Sequence, residues 1–463
     1  MNFVFTFLIV SNVAVAAWYA VRKCWSPRGI EFNHVLSFTC GFLFYWILPI
    51  ALGIWRIFDD VPAMSVWYKI FDEIDDSKLV TYLFVSLVAY LSFVFGTERG
   101  ERSSPKSSEP SKKHFLYIRL MNGYLLLAGV FLLAAGVKIR GEFFKGYSNI
   151  GSVEDLYGRS VFGAVMVFSI SLWILYTSMR HQKLEQSGVT FSVFANRFLA
   201  LYAVEAALAI SMGSRYIVLS SAFMVVTYCS VYVKKWRPLA TGTFGAILLA
   251  FALIVGALRT GLSATQAIGD IVFSGLEETL NGALSLTYFL REYSFGVLRW
   301  PVFLLSDYIY LVPRVLLPMK DSMILSPEDR GFHIENPVGG VNSFFSFMVN
   351  FGALGTVVFL FLFAFGMGFL KSRRGSVLAR TTYSMISGWL LISFFRNPFE
   401  VSLVKDIFQM SIVVPASVLG SVYFLSSSLR RRRPLPAEGG SQPESRTQRP
   451  TSAHLSERGA GAT

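Results

Sequence analysis

Cysteine is scarce in this chain. Cys24, Cys40 and Cys229 are the only three in 463 residues, with no C-x-x-C pair among them, so neither a disulfide framework nor a thiolate zinc site is indicated. The five histidines are equally scattered. There is no G-x-x-x-x-G-K-[ST] phosphate loop, no G-x-S-x-G elbow and no H-E-x-x-H pair. These absences argue against ATP hydrolysis by this chain, a serine-hydrolase site and a zinc-peptidase helix. No internal repeat relates the two halves, which weakens a transporter built from inverted repeats. Charge is sparse too, at 15% of residues against 53% hydrophobic.

What the chain does have is apolar sequence in long blocks, the composition of a polytopic membrane protein. A run of about 20 apolar residues crosses the hydrocarbon core as a helix that satisfies its own backbone. About eleven runs qualify, near 2–21, 34–55, 79–96, 118–137, 161–179, 198–211, 216–233, 242–258, 342–370, 381–395 and 402–427, the sixth and tenth being short. The expectation is an all-α transmembrane helix bundle over 1–429. The first run carries "AVA", which resembles a signal-peptidase site, but it lacks a basic leader and is stopped by "RKCWSPR". It is expected to be an anchor.

The net charge of +13 is a topology signal, not a nucleic-acid footprint. Cations fall on alternate short loops: Arg22, Lys23 and Arg28; Arg99, Arg102, Lys106, Lys112 and Lys113; Arg180, Lys183 and Arg197; Lys234, Lys235 and Arg237; Lys371, Arg373, Arg374 and Arg380; then Arg430 to Arg433. The positive-inside rule makes all of these cytoplasmic. The loops between them are poor in cations or acidic, as in "FDEIDDSK". Those carboxylates could hold a divalent ion, or form a solvated acidic loop.

Residues 97–117 read as a Ser/Pro/Lys linker and 430–463 as a disordered basic tail. The stretch 259–341 is too long for an ordinary connection. Its apolar positions at helical spacing, its aromatics and Pro301, Pro313 and Pro318 predict short helices on the outer leaflet. A long outer loop on a tight bundle is where function concentrates.

Charges within the helices or at their outer ends are costly and tend to face partners or wet cavities. They are Glu205, Arg215, Arg259, Arg396, Glu400, Lys405 and Asp406. Arg215 opens one helix and Arg259 closes the next, so both fall at the same outer boundary. Two guanidinium groups there suit a diphosphate, although each could simply snorkel to the headgroups. His333, in "PEDRGFHIENPVGG", is the one histidine on the outer side. With Glu335 beside it, this stretch offers a general base, or it is a polar turn shaped by Gly and Pro. Arg140, Arg159, Tyr147 and Tyr157 add cations and sugar-stacking rings to the outer face, where an interfacial belt uses the same residue types.

The stretch "MGSRYIVLSSAFMVVTY", the helix ending "FALIVGALRTG", a long loop and then "GGVNSFFSFMVNFGALGTVVF" together resemble the O-antigen polymerases, the Wzy-type oligosaccharide repeat-unit polymerases. The resemblance implies a GT-C-like glycosyltransferase of the bacterial inner membrane acting at the periplasmic face. Its donor and acceptor would be undecaprenyl-diphosphate-linked oligosaccharides, and a chain-length regulator protein is a possible partner. It implies a diphosphate grip at Arg215 and Arg259 and a base at His333 or Glu335. Arg140, Arg159, Arg330 and Tyr157 would contact glycan or phosphate, and no metal or other cofactor would be needed. An O-antigen ligase is the nearest rival. A lipid-linked oligosaccharide flippase and an export scaffold are the rivals from other classes.

Overall fold

The computed structural model describes residues 2–27, 29–57, 65–103, 115–138, 153–186, 202, 205–207, 209, 215–243, 245–246, 282–312, 316–325, 329, 331–332 and 341–431. These residues form an all-α structure, with one two-residue hairpin, Trp25–Ser26 paired with Gly29–Ile30. The long elements are α1 (Asn2–Cys24), α2 (His34–Trp55, with a π-turn at Leu43–Ile47), α3 (Ser65–Asp72), α4 (Asp76–Ser103), α5 (Phe115–Lys138), α6 (Val153–Gln186) and α7 (Arg215–Tyr228, ending in a π-turn to Val233). The long loop contributes α8 (282–292) and α9 (Val302–Asp307). Then come α10 (Ser343–Ser372), α11 (Val377–Trp389), α12 (Ser393–Arg396) and α13, a π-helix over Glu400–Val413 continuing as α-helix over Val414–Arg431.

Among the described residues, five helices are long and apolar enough to cross a membrane: α1, α2, α4, α10 and the Val401–Ser428 part of α13. The expected runs at 198–211 and 242–258 lie largely outside the described residues. The tenth expected run, 381–395, is differently built. Its helix stops at Trp389, a turn follows, and every side chain from Ala379 to Trp389 is buried. At 13 residues, α11 is a core helix enclosed by its neighbours. The expected linker at 97–117 is also shorter, because α4 runs on to Ser103 and α5 begins at Phe115.

The centre of the bundle is a parallel pair, α4 and α10. Gly96 and Gly100 lie four residues apart on one face of α4. A methyl group on either would strike the main-chain carbonyl of Phe361 or Phe365. In lipid, helices associate through close packing, and small residues let the backbones approach. The Ser92 hydroxyl uses that closeness to donate 2.5 Å to the Val357 carbonyl. Around this pair lies an aromatic core in which Phe38 stacks on Phe93 at 3.8 Å and Trp46 meets Phe344, Phe347 and Phe395 edge-on.

Candidate functional site

The bundle has two chemically different ends. At one, Lys23 on α1 bonds Glu98 and Glu101 of α4 at 2.8 and 2.7 Å. Lys371 at the end of α10 bonds Glu31 at 2.8 Å and Glu101 at 3.2 Å. Lys235, just past α7, reaches Glu31 at 3.5 Å, and Arg380 on α11 approaches His181 of α6 at 3.5 Å. Five of the six basic segments read from the sequence therefore meet at one end. Glu31 sits between the spans. Burial pushes its carboxyl up, but Lys371, Asn33 and Lys235 outweigh that and hold it below the ordinary range. His34 beside it is bonded on both ring nitrogens, by Tyr383 at 2.9 Å and Thr97 at 3.2 Å. This end has the character of a clamp, with the carboxylates Glu31, Glu98 and Glu101 each met by lysine.

The far end is looser and more varied. The acidic "FDEIDD" stretch meets arginine there: Arg56 bonds Asp72 at 2.6 Å and Arg291 bonds Glu73 at 2.9 Å. Among the described residues no group of three His, Cys, Asp or Glu side chains could hold a metal ion. Asn342 caps α10 by accepting from the Phe344 amide and donates to the Tyr45 carbonyl at 2.8 Å, which ties the end of the long loop to α2.

Below this cap α10 is broken. Gly352 has φ +69° and ψ −177°, a conformation that favours glycine. The freed backbone groups are met by an extended piece of the long loop. The Ala353 and Leu354 amides donate to the Gly296 and Val297 carbonyls at 3.0 and 2.9 Å, and the Arg299 amide donates to Phe351 at 2.9 Å. Backbone groups freed where a helix breaks need such partners. Asn350 then accepts from the Leu304 amide at 2.8 Å, holding α9 against the break.

The other irregular element is the π-helix that opens α13. Such helices are rare and concentrate at functional sites. Ser393 on α12 donates to Asp406, Asn397 donates to Ser393 at 2.9 Å, and Ser411 donates to the Asp406 carbonyl at 2.7 Å. Lys405 stands 5.6 Å from the centre of the Tyr310 ring, so the loop and the π-helix present a cation and a tyrosine together. Within the bundle, Glu205 is buried and accepts from Ser169 at 2.7 Å.

Arg215 is the first residue of α7. The helix and its π-turn run about 28 Å to Val233, beside Lys235 in the clamp, so Arg215 opens α7 at the far end. Tyr157 and Arg159 occupy the opening turns of α6. Some 35 Å of helix separate them from His181, at the basic end. Arg140, Arg259, Arg330, His333 and Glu335 lie outside the described residues, as do the side chains of Tyr157, Arg159 and Arg215. The backbone thus brings Tyr157, Arg159 and Arg215 to one end, and no contact among the expected site residues is described. Sequence reasoning missed the Gly352 break and Arg299. The one available signal was Gly352 in "NFGALG", a glycine inside a span.

These features define an all-α membrane protein with one clamped, basic end and one irregular end built from the long loop, the broken α10 and the π-helix. Compared with known proteins, the chain matches no family model, no curated protein and no solved structure.

Proposed function

We propose that the chain is a periplasmic-face glycosyltransferase of the bacterial inner membrane that polymerises undecaprenyl-diphosphate-linked oligosaccharide repeat units into O-antigen or a related surface polysaccharide. The observation that carries the reading is the opening of α7 by Arg215 at the end of the bundle opposite the basic clamp, in the stretch that resembles the O-antigen polymerases. Tyr157 and Arg159 in the first turns of α6 add a ring and a cation at the same end.

In this reading a hydroxyl of the acceptor unit attacks the anomeric carbon of the donor glycan. The bond between that carbon and the diphosphate oxygen breaks, and undecaprenyl diphosphate leaves with the bonding pair. Arg215 and Arg259 stabilise the charge that develops on the leaving oxygens, and His333 or Glu335 takes the acceptor proton. Arg140, Arg330 and Arg159 steady the phosphate or glycan, and Tyr157 stacks on a sugar ring. A fixed guanidinium pair offers bidentate donors to phosphate oxygens, which lets the reaction proceed without a metal or a nucleotide.

The test is the lipopolysaccharide pattern of a strain lacking the chain. Loss of a polymerase leaves core bearing a single repeat unit. Core alone would make the chain a ligase, and an unchanged ladder would overturn both readings.

A further inference from the structure

Among the described residues, Arg299 at the far end has no acidic partner. Its guanidinium lies over the Phe332 ring at 4.9 Å and donates weakly to the Ser294 carbonyl at 3.4 Å. Two other arginines there do have acidic partners: Arg56 with Asp72, and Arg291 with Glu73 and Glu292.

Its backbone, by contrast, is tightly held. Residues 296–299 bond to both sides of the Gly352 break. A methyl group on Gly352 would come within 2.9 Å of the Val297 carbonyl. The position of Arg299 is therefore set by α10. From Gly352 to Lys371 in the clamp is about 28 Å of helix, close to one hydrocarbon thickness. A cation pinned there stands at headgroup level.

The surface around it is apolar and continuous. Leu362, Val358 and Leu354 are half or more exposed on one face of α10. The Leu298 side chain lies 3.3 Å from where a methyl on Gly355 would be, so it extends that stripe. Val297, Leu298 and Trp300 are 74, 69 and 74% exposed. The stripe rises along α10 and ends beside Arg299 and Trp300. An indole at the end of an apolar track is the usual headgroup-level anchor.

We propose that Arg299 is a binding site for the phosphate headgroup of a membrane lipid whose hydrocarbon chain lies along Leu362, Val358, Leu354 and Leu298. The site offers charge complementarity at one end and a hydrocarbon track at the other. The proposal rests on the chain lying in a bilayer, and it makes no use of glycan transfer. If the transfer reaction is the proposed one, this site is a lateral landing place for lipid-linked phosphate outside the Arg215 region.

The test uses the purified full chain in detergent and native mass spectrometry, with dioleoyl phosphatidic acid and dioleoyl phosphatidylcholine as competing probes. Wild type should retain phosphatidic acid preferentially. Arg299→Gln should weaken that retention about tenfold, the worth of one charge-assisted contact, and Arg299→Lys should fall between. Since, among the described residues, the Arg299 side chain meets Phe332 and Ser294 alone, each variant should keep the wild-type melting temperature. A separate arm adds inorganic phosphate in large excess, and bound lipid should persist. Equal retention by wild type and Arg299→Gln, no preference over phosphatidylcholine, or complete displacement by inorganic phosphate would each overturn the proposal. These binding results do not depend on polymer synthesis, so failure here and failure of the glycosyltransferase reading remain distinguishable.

Discussion

Lys371, in the last turn of α10, places its ammonium 2.8 Å from Glu31, in the connection between α1 and α2. The two are far apart in sequence, and both are nearly buried, with 13 and 7% of their side chains exposed. Glu101 joins Lys371 at 3.2 Å and Lys23 joins Glu101 at 2.7 Å. One chain of charges thus ties α1, α2, α4 and α10 together at the basic end, leaving the far end free to be irregular.

Breaking such a buried pair from one side strands the other charge, at about 3–5 kcal/mol. Lys371→Met should therefore lower the melting temperature of the purified protein, since Glu31 would fall back on the longer Lys235 contact at 3.5 Å and Glu101 would lose one of its two lysines. Lys371→Arg should retain most of the stability. Equal melting of Lys371→Met and wild type would show the clamp to be dispensable.

The same pair sets an acid limit. Glu31 has a lowered folded-state value, so its contribution is full above the unfolded carboxyl range, about pH 4.3. It is lost as pH falls through the lower folded value. Melting temperature recorded from pH 7 downwards should drop on acidification, and in Glu31→Gln, already less stable at neutral pH, the drop should be smaller. Parallel curves would remove Glu31 from the account.

Gly352→Ala should destabilise by about 1–3 kcal/mol, because an L-residue is strained at positive φ and its methyl would crowd the Val297 carbonyl. The measurement is thermal unfolding, with limited proteolysis near 296–300 as a second readout. Faster cleavage there is expected; unchanged stability and cleavage would contradict the docking of that segment on α10.

Glu205 separates the proposed glycosyltransferase from a transporter. Glutamine can still accept from Ser169, so Glu205→Gln should leave long-chain polysaccharide at wild-type length. A proton-coupled carrier using this carboxyl would lose transport and, with it, surface polymer. Loss of polymer by a normally expressed Glu205→Gln would favour the carrier.

Much of the architecture was legible because charge is expensive in lipid. The cation-bearing loops around Lys23, Arg102, Lys235 and Lys371 converge, as their alternation suggests. Composition misled at 97–103. A Ser/Pro/Lys window reads as linker, yet Glu98 and Glu101 face Lys23 and Lys371 and carry the helix to Ser103. The end of α11 at Trp389 was hidden in continuous apolar sequence, where periodicity shows no break. At the far end, Arg215 stood out as a cation opening an apolar run. Arg299 did not, because its significance comes from a distant glycine, Gly352, which pins its backbone.

The most direct test of the central claim is Arg215→Ala in the native strain, with membrane expression verified and the polysaccharide ladder compared on a gel. Removing a group that stabilises the leaving diphosphate should cost about 10²–10³ in rate, collapsing the ladder to core bearing a single repeat, and Arg215→Lys should restore it only in part. A ladder of normal length and amount in Arg215→Ala would contradict the assignment of this arginine to catalysis.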